Sequence, residues 1–199
     1  MSQPLINIED YIFIDVETTG VNLHDGASYF DDHIRKEDLI QIGMAYYENG
    51  KITTVHSYVK PPMEYFDVED KWYKVNGKPN VSPDLVRGAP TWRDLYSWMR
   101  GVVGMRTPVA HNADFDARVL NDTSGLYGLN FIQRPYWKCT KEDAKELKVP
   151  TDNHKLKTLS QYFDIPMEKH HDAVSDAITC LKVFEALIPL RARPDWLFV

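Results

Sequence analysis

The stretch Tyr11-Ile12-Phe13-Ile14-Asp15-Val16-Glu17-Thr18-Thr19-Gly20 constrains the fold more than any other. Tyr11 to Ile14 are apolar or aromatic, Val16 continues the run, and two carboxylates interrupt it two residues apart. Such a run, closed by Thr-Thr-Gly, reads as a buried strand that stops at a turn. Strand side chains alternate faces, so Asp15 and Glu17 point the same way. Side by side at a buried strand end, they repel each other and lose hydration. Two readings follow: a divalent cation offsets both costs, or the strand end has reached water and both acids are solvated. The segment alone does not choose between them.

The following chain supplies the elements around this strand. Residues 21–38 are polar and read as a loop insertion beside the strand's carboxyl end, where sites are often lined. Ile40 to Tyr47 reads as a second strand, and Glu48-Asn49-Gly50-Lys51 as a type I′ hairpin turn. Ile52 to Val59 is the return strand, ended by Pro61-Pro62. The first three strands therefore form an antiparallel meander. Residues 60–90 are aromatic and Pro-rich without a clear period, with Trp72 and Tyr73 read as core.

Thr91 is a good N-cap for a helix carrying Leu95, Trp98, Met99 and Val102. Thr107 to Asn112 reads as a short buried strand running into a turn, and Asp114 to Leu120 as a helix. Residues 121–130 read as loop, Phe131 to Cys139 as a region with a strand, Thr140 to Lys148 as a helix ended by Pro150, and His154 to Phe163 as a helix. The last helix begins near His171-Asp172 and runs to about Leu187, stopped by Pro189. Its Ala173, Ala177, Leu181, Phe184 and Ile188 share a face. The order points to an α/β fold: one mixed sheet, an antiparallel three-strand meander plus parallel strands, flanked by helices.

At 199 residues, the chain reads as a single domain spanning 1–199. No apolar stretch approaches the roughly 18 residues of a membrane span, and Met1-Ser2-Gln3-Pro4 lacks the pattern of a signal peptide. Cys139 and Cys180 form no CxxC pair and read as small core residues in a reducing, intracellular and cytoplasmic setting. A net charge of −6 argues against coating nucleic acid by bulk electrostatics. It leaves room for an enzyme that holds phosphates with metal ions and local lysines.

Two further acidic sites lie at element boundaries. In His111-Asn112-Ala113-Asp114-Phe115-Asp116 the acids open a helix. A capping role suits Asp114; Asp116 lies deeper in the first turn. In His171-Asp172-Ala173-Val174-Ser175-Asp176-Ala177, Asp176 lies inside a helix. His171 and Asp176 stand about 140° apart on an ideal helix, so His171 reaches the same site only from the preceding loop. Taken singly, this last site reads first as a surface histidine and a solvated helix acid.

Together these segments resemble the DEDDh branch of the DnaQ-like 3′→5′ exonucleases, in the RNase H-like superfamily. Phe13 to Gly20 is similar to the family's first motif, Ala110 to Asp116 to the second, and His171 to Ala177 to the third, with the His-x4-Asp spacing of the "h" branch. The motifs occur in family order. His154 to Leu159 resembles the helix before the third motif, and Val109 to Leu120 looks most like the small stand-alone bacterial DNA exonucleases of the branch. Residues 21–38 are longer than the usual link, and Val75-Asn76-Gly77-Lys78 stands where many relatives carry His-Gly-Ile.

The resemblance implies that Asp15, Glu17, Asp116 and Asp176 bind two divalent cations, Mg²⁺ or Mn²⁺, in keeping with all-oxygen ligands. It implies His171 as general base, and a 5′-nucleoside monophosphate released from the 3′ end of a nucleic acid, with DNA favoured over RNA. Thr18 and Thr19 would hold the terminal nucleotide. His111 and Asn112 either support substrate or satisfy buried backbone groups. It also makes the Asp15/Glu17 strand the central strand of the sheet. Lys138, Lys141, Lys145, Lys148, Lys155 and Lys157 read as a solvated face or a track for the phosphate backbone. Tyr136 and Trp137 read as core or as stacking platforms. The alternatives are an exoribonuclease or oligonucleotidase with the same chemistry, and a non-catalytic binding module. The intact acids and His171 argue against the latter. Nothing in the sequence identifies a polymerase or other protein partner, and the apolar Pro194 to Val199 reads as docking on this fold first, or on a partner.

Overall fold

The computed structural model describes residues 6–18, 38–61, 83–167 and 172–191. Strand β1 spans Tyr11–Thr18 and is the buried strand expected, with Ile12, Phe13 and Ile14 fully enclosed. Strands β2 (Leu39–Glu48) and β3 (Lys51–Tyr58) follow. Between them Asn49 and Gly50 take φ values of 53° and 73°, the two positive angles a type I′ turn requires. The three strands pair antiparallel. Strand β4 (Thr107–Ala110) runs parallel to β1, and β5 (Lys138–Cys139) parallel to β4. Among the described residues the order is β3-β2-β1-β4-β5, which makes β1 central as expected.

Helices α1 (Pro83–Arg87), α2 (Trp92–Val103), α3 (Ala113–Gly125), α4 (Thr140–Glu146), α5 (Leu156–Tyr162) and α6 (Ala173–Arg191) are the α-helices of the described residues. The alternation along β1 divides the core between the two faces of the sheet. Ile12, Ile14 and Val16 pack with Trp92, Met99 and Leu120 of α2 and α3. Phe13 packs on the opposite face with Leu181 and Phe184 of α6. Asp15 and Glu17 share the parity of Phe13, so the strand's period delivers both acids to the α6 side.

Thr91 caps α2 through a reciprocal capping box with Asp94, as the residue type predicts. The face of α6 is also as expected: Ala173, Ala177, Leu181 and Phe184 are buried and Ile188 packs at the margin. Several boundaries differ from expectation. Helix α3 continues through residues read as loop, because its polar side chains have partners. Asn121 donates to the Ala117 and Ile132 carbonyls, and the Ser124 hydroxyl donates to the Leu120 carbonyl while accepting from the Trp92 indole. The stretch 131–139 yields only a two-residue strand, since Arg134–Tyr136 forms a 3₁₀ turn around Pro135. Helix α5 begins at Leu156, two residues later than expected. Pro189 lies inside α6 rather than ending it. Leu187 is buried on the sheet and Arg191 pairs with Asp143 of α4, which holds the helix past the lost bond. Trp98, expected on the buried face of α2, is half-exposed, and Trp92 takes the core position.

Among the described residues no helix is long and apolar enough to cross a membrane. Cys139 and Cys180 are buried free thiols. Trp72, Tyr73, the 75–78 segment, most of the 21–38 insertion and the C-terminal tail fall outside the described residues.

Candidate active site

The acids meet at the carboxyl ends of β1 and β4, where elements from both layers converge. Asp15 and Glu17 stand on β1, and Asp176 comes from the first turn of α6. Oxygens of these three carboxylates lie within 4.8 Å of one another. Glu17 and Asp176 are each 6% exposed.

Asp116 reaches the same place from the other layer. The β1–β4 ladder covers only Tyr11 to Phe13, where it pairs with Val109. Beyond it the chain leaves β4 and turns into α3. There Asp116 Oδ1 accepts the Val16 N–H at 3.1 Å. Asp116 is 3% exposed. Burial pushes its carboxyl above the usual carboxylate range, the Val16 N–H pulls it back, and the Glu17 and Asp176 carboxylates raise it further. The buried, mutually repelling acids form an electrostatic site that a cation would relieve. Because every donor is a carboxylate oxygen, the set fits a hard divalent cation better than a soft one.

A pocket opens over the acids. Its walls include Thr18, His111, Asn112, Phe115 and Leu156. Both nitrogens of His111 are engaged within the protein. Nε2 lies 2.9 Å from the His154 carbonyl and Nδ1 2.9 Å from Thr140 Oγ1. A carbonyl only accepts, so Nε2 carries the proton and Nδ1 accepts from the Thr140 hydroxyl. Thr140 Oγ1 in turn lies 3.5 Å from Cys180 Sγ, in place to accept its S–H. Burial lowers the His111 pKa to about 4; the His154 carbonyl opposes this and Lys141 reinforces it. His111 thus ties the start of α4 to the segment before α5, and with it the Leu156 wall.

Asn112 precedes α3, and its Oδ1 accepts from Lys141 Nζ at 3.3 Å. Lys141 therefore stands beside the pocket wall, whereas Asp114 turns away to pair with Arg134 at 2.6 Å. Trp137 is core, and Tyr136 is 71% exposed. Of the expected site residues, Asp15, Glu17, Thr18, His111, Asn112, Asp116 and Asp176 line one pocket. Thr19 and His171 lie outside the described residues. Periodicity missed Phe115 and Leu156 as pocket walls, because it assigned apolar residues to the core; the position of Leu156 within His154–Leu159 was the available signal.

The exonuclease family of the RNase T type matches residues 12–184. The chain belongs to this family. It is a nuclease by descent, with the mixed-sheet fold of its class. The DNA polymerase III PolC-type of Halalkalibacterium halodurans is 29% identical over 174 residues, covering 87% of this chain and 11% of that protein. This nuclease therefore spans about a tenth of that relative's length. Exonuclease X, solved in complex with 5′ overhanging duplex DNA, superposes with a TM-score of 0.64 at 19% identity, covering 92% of this chain and 94% of its own. The nuclease domain of 3′hExo, a DEDDh family member solved bound to rAMP, gives a TM-score of 0.69 at 15% identity, covering 91% of both chains.

Proposed function

We propose that this chain is a metal-dependent 3′→5′ exonuclease that hydrolyses DNA from its 3′ end and releases 5′-nucleoside monophosphates. The observation that carries the reading is the convergence of Asp15, Glu17 and Asp176 to within 4.8 Å at the floor of one pocket. In this reading Asp15, Glu17, Asp116 and Asp176 hold two divalent cations, Mg²⁺ or Mn²⁺. When bound, such a pair supplies electrostatic stabilisation to the attacking and leaving oxygens of an in-line displacement.

The chain's own residues do the rest. Asp116, anchored by the Val16 N–H, keeps a carboxylate facing Glu17 and Asp176. Thr18 and Thr19 hold the terminal nucleotide. Phe115 and Leu156 offer apolar walls against its sugar and base, and Asn112, with Lys141 behind it, faces the phosphate side. His111 positions the Leu156 wall. His171, the side-chain type most often used as a general base, takes the proton of the attacking water on its imidazole nitrogen.

The PolC-type relative and the DNA-bound Exonuclease X favour DNA. A second reading, an exoribonuclease with the same chemistry, has support from the rAMP-bound 3′hExo. Both readings treat the chain as one catalytic domain of a reducing, intracellular setting, in keeping with its two buried free thiols.

The test is a panel of end-labelled single-stranded DNA, duplex DNA and RNA with Mg²⁺ or Mn²⁺, alongside Asp15→Ala and His171→Ala. Laddering from the 3′ end by the wild type alone, fastest on DNA, is expected. Equal activity of wild type and Asp15→Ala would overturn the assignment, and preferential RNA degradation would move it to the second reading.

A further inference from the structure

Asp176 reaches the acids of β1 only if the first turn of α6 is held at one height on the sheet. Strand β2 does this with two residues. In the β1–β2 register Gln41 stands opposite Glu17, and Gly43 opposite Asp15. Both therefore face the α6 side, directly beside the two acids.

Gln41 is 1% exposed. Its Oε1 accepts the Ala173 N–H at 3.4 Å, and its Nε2 donates to Asp172 Oδ2 at 3.3 Å. The first helical N–H groups have no partner inside their helix, so one amide satisfies an orphan donor and grips the cap residue together. The other oxygen of Asp172 accepts the Ser175 N–H at 3.2 Å, and its carbonyl accepts the Asp176 N–H at 2.9 Å. The chain of contacts runs from Gln41 through Asp172 to the backbone of Asp176.

Gly43 sets the distance. A Cβ there would lie 2.3 Å from the Ala173 carbonyl carbon and 2.4 Å from the Val174 nitrogen. These are backbone atoms and cannot rotate aside, so any side chain at position 43 displaces the helix. Gly43 lets α6 approach and Gln41 locks it in register.

We propose that Gln41 is a positioning residue of the metal centre: its two-point grip on Asp172 and Ala173, permitted by Gly43, sets where Asp176 presents its carboxylate to Asp15 and Glu17. The inference rests on the four acids forming a metal site.

Mn²⁺ binding to the metal-free protein, measured by calorimetry and electron paramagnetic resonance well below Tm, tests it. Wild type is expected to bind Mn²⁺ and Asp15→Asn to lose binding; if wild type does not bind, the metal-site reading itself fails. Gln41→Met keeps the volume and removes both hydrogen bonds. It is expected to bind Mn²⁺ at least about tenfold more weakly while remaining folded, the scale seen when groups supporting metal ligands are removed. Wild-type affinity in Gln41→Met, beside a wild type that binds, overturns the inference.

A complementary pair covers the case in which Gln41→Met does not fold. Gln41→Glu places a carboxylate against Asp172 Oδ2, and adding Asp172→Asn restores a donor to meet it. The double variant is expected to recover Mn²⁺ affinity to within about threefold of wild type, with Gln41→Glu about tenfold below it. Equal affinity of the single and double variants overturns the proposal.

Discussion

His111 makes a pH-dependent contribution to stability that can be separated from every other group. Its ring is buried between Thr140 and His154, and burial, the largest influence, lowers its pKa from 6.5 to about 4. The unfolded chain therefore binds a proton between those values while the folded protein does not. Stability rises with pH across that window: the contribution is complete above about 6.5 and is lost as pH falls towards about 4. At about 1.36 kcal/mol per pH unit, the interval amounts to about 3 kcal/mol. His111→Gln keeps a donor and an acceptor but cannot titrate. Urea unfolding of both proteins at pH 7, 6, 5 and 4, with EDTA present, isolates the effect. The wild type's advantage over His111→Gln is expected to shrink by about 3 kcal/mol from pH 7 to pH 4. Carboxylates titrate in both proteins and cancel in the difference. Parallel curves would refute the account of His111 as a buried neutral clip. So would a ring signal showing protonation at Nδ1 in place of Nε2.

Three other outcomes follow from the site. Asp116→Asn keeps an oxygen for the Val16 N–H and removes a carboxyl whose ionisation is opposed by burial and by the facing Glu17 and Asp176 carboxylates. Its Tm in EDTA is expected to exceed that of wild type while nuclease activity falls about 100-fold or more; a lower Tm in EDTA would contradict the repulsion argument. Adding Mn²⁺ at about 100 times its dissociation constant is expected to stabilise wild type by about 2.7 kcal/mol, read as an upward Tm shift that Asp15→Asn lacks. Gly43→Ala places a methyl 2.3 Å from the Ala173 backbone, so a loss of about 1–3 kcal/mol in chemical denaturation is expected; an unchanged midpoint would show that α6 does not press on β2.

The features legible in the sequence were the local ones. A strand's two-residue period placed Asp15 and Glu17 together, and a 3.6-residue period chose the buried face of α6, because both depend only on neighbours in the chain. Asn49-Gly50 and Thr91 acted as a turn and a cap for the same reason. Boundaries failed where a distant partner changed the local preference. Asn121 and Ser124 stay helical because Ile132 and Trp92 meet them, and Pro189 is carried inside α6, whose end is held by the Arg191–Asp143 pair.

The sequence by itself determined the strand with its paired acids, the mixed sheet and the three motifs that mark the family. Tertiary structure alone decided how those acids meet. Asp116 takes the N–H of Val16 from 100 residues away, and Gln41 holds Asp172 from 131 residues away. His111, expected either to touch substrate or to satisfy buried groups, has both nitrogens committed to Thr140 and His154. Such pairings leave no mark in local spacing. They exist only once the two layers close on β1, when each buried polar group must find whichever partner the packed chain brings within reach.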